Sequence, residues 1–106
     1  MNSVRLQGRI EEVRQRWMPD GSLAVIAALI VPRPMFGPTR ATTATEQPLP
    51  LRAEGKMAEC ILARQGQDVR IEGQLRRRFY SRDGEPCWGQ VEIWVNQCQP
   101  AGPATE

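Results

Sequence analysis

Val4, Leu6 and Ile10 fall on one parity of the chain, and Arg5, Gln7 and Arg9 on the other. A period of two marks a strand with one buried and one wet face. Gly8 interrupts the apolar set, and a missing side chain there marks a bend or a close backbone approach. The alternation slips at Glu11-Glu12, as a bulge would make it, and resumes towards Val13 and Trp17. "MPDGS" is a turn: Pro19 fixes φ, and Asp20-Gly21 tolerates the left-handed region. "LAVIAALIV" then runs apolar without a break. It predicts a second strand buried on both faces, or one whose second face serves assembly.

At residue 32 the pattern stops. "PRPMFGPTRATTATEQPLP" holds five of the nine prolines and reads as a long loop over 32–48. Loops of that length are usually functional or disordered, so Arg33, Phe36 and Arg40 are either ligand contacts or part of a plain connector. A short strand is expected over 49–54. Met57 and Ile61, with Ala58 and Leu62, recur at helical spacing, and Gly66 stands where a helix would end. That is a helix of about ten residues.

The period of two returns over 69–80. Val69, Ile71, Leu75 and Phe79 are placed on the core face, and Arg70, Glu72, Gln74, Arg76, Arg78 and Tyr80 on the other. Arg77 sits on the apolar parity, which calls for a twist or bulge. "SRDGEP" is a hairpin turn. In the last strand, 87–97, Val91, Ile93 and Val95 are expected inward and Trp88, Gln90, Glu92 and Trp94 outward. The order is β-β-β-α-β-β: an all-β chain with one short helix, expected to close into a five-stranded OB-fold barrel. That fold binds oligonucleotides or oligosaccharides through its second and third strands and connecting loops. The barrel is assigned to 1–99 and a short disordered tail to 100–106.

Composition narrows the chemistry. The chain has 106 residues, enough for one modest core. Net charge is only +2, yet Lys56 is the single lysine against 13 arginines. Arginine suits planar, stacked and bidentate contacts to phosphate. There is no histidine, and the three cysteines, Cys60, Cys87 and Cys98, show no metal-ligand spacing. No metal site, cofactor or Ser/His or Cys/His catalytic pair is therefore expected, and the chain does not read as an enzyme. No secretion signal and no membrane-spanning apolar run are visible, and reduced cysteines fit a cytoplasmic protein.

"WMPDG", "GKMAE" and "GQDVRIEGQLRRR" together resemble the bacterial single-stranded DNA-binding protein family (SSB). That family carries phrases close to "YMPNG", "FGKLAE" and "GSQVYIEGQLRTRKW" in the same order. The likeness spans about residues 3–97, and "VRIEGQLRRR" is its most specific part. The resemblance implies binding of single-stranded DNA without sequence preference, in replication, recombination or repair. It also implies a homo-oligomer, a dimer or a tetramer. The recipe for such binding is a basic groove for the backbone plus aromatic faces for the bases.

Carried over by position, the aromatic that ends the family's fourth-strand motif falls on Tyr80. The aromatic before the "GKLAE" phrase falls on Glu54, and the tryptophan opening the third strand falls near Pro48. Neither can stack a base. Phe36 stands in the loop where the family has a further aromatic. The nucleic-acid-binding candidates are thus Arg76, Arg78 and Tyr80, then Phe79 and Trp88. Arg5 and Arg9 on the first strand and Arg33, Phe36 and Arg40 in the loop complete the set. The arginines have a plainer reading as a solvated strand face. The acidic tip with which SSB proteins recruit replication enzymes has no counterpart here. In this the chain resembles the primosomal replication protein N branch, and replication or primosome proteins are expected as partners by another route.

Overall fold

The alternating residues of the first strand become one wall of a closed sheet. In the computed structural model, which describes residues 1–37 and 44–101, the elements follow in the expected order. They are β1 (Val4–Trp17), β2 (Leu23–Pro32), β3 (Glu46–Glu54), α1 (Lys56–Ala63), β4 (Asp68–Arg82) and β5 (Glu85–Pro100). The strands close in the order β1-β2-β3-β5-β4. All neighbours are antiparallel except β3 and β5, which meet in parallel at Leu51–Ile93 and Arg52–Trp94. β1 closes the ring by pairing with β4 from Val4–Gly73 to Arg9–Asp68. This is the five-stranded OB-fold plan.

Ile10, Val25, Leu29, Leu51, Val69 and Ile71 fill the barrel, and α1 adds Ala58 and Ile61. Each large side chain so buried contributes ~1.5–3 kcal/mol. Two glycines permit the strands to close this tightly. A Cβ on Gly8 would run into the Ile30 carbonyl, and one on Gly73 into the Trp94 carbonyl. The slip at Glu11-Glu12 is a bulge: the β1–β2 register shifts between Glu11 and Arg14, and Glu12 takes φ 54°.

Several boundaries differ from those expected. β3 begins at Glu46, so Gln47 and Pro48 are strand rather than loop. Prolines hid this strand, although Pro48 and Pro50 still pair in register with Ile30 and Ala28. The helix is eight residues, with Arg64 as its C-cap, so Gly66 lies beyond the cap. β5 runs on to Pro100, and the Ala101 amide bonds to the Asp68 carbonyl, so the tail cannot start at 100. Residues 102–106 of that expected tail lie outside the described residues.

The largest correction concerns the β4–β5 hairpin. Leu75 is 43% exposed, Phe79 60% and Val91 47%, although the alternation places all three on the core face. β4 has β1 beside it only as far as Gly73, and β5 touches β3 only around Ile93 and Trp94. Beyond those points the hairpin is a two-stranded ribbon projecting from the barrel. Among the described residues no strand covers its "inward" face, and only Asn2 reaches it, bonding to the Leu75 backbone. Glu92 errs in the opposite direction: expected outside, it is buried on the outer face of the sheet.

Candidate nucleic-acid interface

The ribbon is built by its turn. Asp83 and Gly84 take φ of 52° and 81° between the paired residues Arg82 and Glu85. Positive φ at both central positions is the type I′ geometry that matches strand twist, and Asp-Gly is a preferred sequence for it. Two register shifts between β4 and β5, at Glu72/Gly73 and Arg77/Phe79, then twist the ribbon. The second lies where Arg77 broke the alternation, and it turns Trp88, expected outward, onto the face of Phe79 and Val91.

Arg76, Arg78 and Tyr80 share the outer parity of β4. With Phe79, Gly89 and Gln90 they line an open concavity of about 640 Å³. Tyr80 is 44% exposed. Arg78 is exposed and has no carboxylate within ion-pair distance among the described residues. A second concavity, about 310 Å³, crosses the outer face of β2 and β3 between Arg14, Ile26, Pro48, Pro50 and Gln90. Gln90 lines both, so the two concavities adjoin there, one on the sheet and one on the ribbon.

The middle of this face holds residues that the alternation did not single out for binding. The register places Arg14, Ile26, Arg52, Trp94 and Gln74 in one row across β1, β2, β3, β5 and β4. Trp94 is flanked by Arg52 at 5.4 Å from the ring centre and by Arg76 at 4.3 Å. These are cation–π distances, and they order the guanidinium groups while leaving N–H edges free to donate. Arg52 is itself buried, 3.8 Å from Glu54. Its Nε and Nη1, the Trp94 Nε1 and the Glu92 Oε1 are buried without hydrogen-bond partners. Arg52 was hidden because it is one arginine in a proline-rich strand. The signal available was its parity, opposite to Leu51 and Ala53.

The other expected residues are distributed elsewhere. Phe79 and Trp88 pair edge-to-face, with ring centres 4.8 Å apart, and Arg77 lies 5.6 Å from the centre of the Trp88 ring. Arg77 also donates from Nε to the Gly89 carbonyl at 2.7 Å. Arg5 lies 3.8 Å from Glu72 and borders a separate concavity of about 350 Å³ with Gln7 and Arg70. Arg9 is held by Glu11, its strongest contact, and lies 3.5 Å from Glu46. The Glu11 carboxylate keeps the Arg9 pKa raised. Arg5 and Arg9 are thus matched by carboxylates and are poorer phosphate contacts than the ribbon arginines. Phe36 is 89% exposed in the connector, where Arg33 anchors its backbone to Thr45. Arg40 lies outside the described residues.

No protein-family model matches the chain, and no curated protein matches it. Among the described residues no helix is long and apolar enough to cross a membrane.

Proposed function

We propose that the chain binds single-stranded DNA without sequence preference, along the outer groove that runs from β2–β3 onto the β4–β5 ribbon. The observation that carries this reading is the meeting of two concavities at Gln90, with Arg76, Arg78 and Tyr80 lining the one on the ribbon. Exposed guanidinium groups neutralise phosphates, and one exposed phenol ring offers a face to a base. The "VRIEGQLRRR" resemblance to SSB proteins points the same way, towards a role in replication, recombination or repair. Cytoplasmic location and assembly into a dimer or tetramer belong to the same proposal. The test is fluorescence anisotropy of a labelled oligo(dT) at low salt. A saturating rise at micromolar protein is expected, and a flat trace up to tens of micromolar rejects the reading.

A second reading is favoured by Glu54, which stands exposed beside Arg52 and repels phosphate on the β3 side of the face. In it the barrel is an SSB-like interaction module of the primosome or replication restart, with weak DNA binding. Tight capture of a replication helicase without oligo(dT) binding would favour it.

A further inference from the structure

The ribbon has a reverse face that the outer groove reaches only at Phe79. On it Phe79 and Trp88 stand directly opposite each other in the β4–β5 register and are 60% and 59% exposed. Their edge-to-face contact at 64° leaves ring surface open, and Arg77 overhangs Trp88. Covered by no strand of the barrel, this pair packs only across the ribbon and leaves its outer ring faces unused.

We propose that Phe79, Trp88 and Arg77 form a second base-stacking surface, so that a single strand is held on both faces of the β4–β5 ribbon. This rests on the reading of the outer groove as a single-strand site. Three observations select a nucleic acid as the occupant. First, charge is complementary: Arg77, Arg78 and Arg82 on the ribbon have no carboxylate within ion-pair distance among the described residues. Second, the faces are continuous, because Phe79 also lines the concavity of Arg76, Arg78 and Tyr80. A strand leaving Tyr80 meets Phe79 next. Third, the area is small. Two rings about 60% exposed with their apolar neighbours offer roughly 300–400 Å², against ~800 Å² per partner in a stable protein interface. A second copy of the chain is therefore a poor fit, whereas a base needs only a ring.

The two faces predict a dependence on oligomer length. An OB-fold covers ~4–16 nucleotides, so a dT oligomer of about 5 fits the outer groove alone and one of about 15 reaches round the ribbon. Binding of both lengths is measured for the full chain and for Tyr80→Ala, Phe79→Ala and Trp88→Ala, with light scattering on each sample. Tyr80→Ala is expected to weaken both lengths. Trp88→Ala is expected to weaken only the longer one, roughly 5- to 150-fold, the range for one lost stack, whereas Phe79→Ala, at the edge the two faces share, should weaken both. Both side chains are exposed, so circular dichroism should find the variants folded. Equal weakening of both lengths by Trp88→Ala, no weakening of either, or loss of a dimer on that substitution overturns the second face while leaving the outer groove intact. No binding by the unsubstituted protein at any length removes the outer groove and the second face together.

Discussion

The Arg76 guanidinium carbon lies 4.3 Å from the centre of the Trp94 ring, one strand away on the outer face of the barrel. The stack restrains a long side chain that would otherwise lose its rotamer freedom on binding. It presents a preset donor edge at the junction of barrel and ribbon. Arg76→Ala is therefore expected to flatten the dependence of log affinity on log salt by about 0.7–1 unit. Titrations of oligo(dT) at several salt concentrations measure it.

Tyr80→Ala probes the other half of the recipe. One stacked base is worth ~1–3 kcal/mol, and the phenol carries no charge at neutral pH. The substitution should lower affinity by that amount at every salt concentration and leave the slope unchanged. A changed slope would mean that Tyr80 acts by positioning an arginine.

The glycines of the ribbon and barrel separate by their surroundings. A Cβ on Gly73 meets the Trp94 carbonyl, whereas one on Gly89 meets nothing closer than the Arg78 carbonyl at 3.5 Å. Gly73→Ala should destabilise by at least ~1–3 kcal/mol, the range for overpacking. Gly89→Ala should fall within ~0.5 kcal/mol of the parent. Urea unfolding of the two variants provides the comparison.

What the alternation could tell, and what it could not, meet at Gly73. Up to that residue parity and burial agree: Val69 and Ile71 are inside, Arg70 and Glu72 outside. Past it, parity still says which side chains point the same way, but not whether anything lies there to cover them. That depends on where β1 stops pairing, a long-range fact, and so Leu75, Phe79 and Val91 were misplaced. Trp94 and Arg52 were hidden for a related reason. Their proximity comes from the parallel β3–β5 pairing of residues far apart in the chain. The bulge at Glu11-Glu12 and the Asp83-Gly84 turn were legible because each is set by its own few residues.

Cys98 gives a pH test of the core. Burial, aided by a hydrogen bond with Cys60, pushes its thiol up to about 12 from an ordinary value of 9.0. The unfolded chain then loses this proton near pH 9 while the folded one keeps it. The contribution to stability is complete below pH 9 and drains away as pH rises towards 12. In parent protein the melting temperature should fall over that range, and the fall should shrink in Cys98→Ser. At pH ~8 an alkylating reagent should modify Cys98 last of the three cysteines, by mass spectrometry.

The most direct test of the outer groove is the slope of log affinity for poly(dT) against log salt, read between ~50 and ~200 mM. Arg76 and Arg78, with a third groove arginine such as Arg14, would neutralise about three phosphates. A slope near −2 is predicted, at ~0.7 per phosphate of a single strand. A slope near zero, or no binding at the lower salt, would contradict the account.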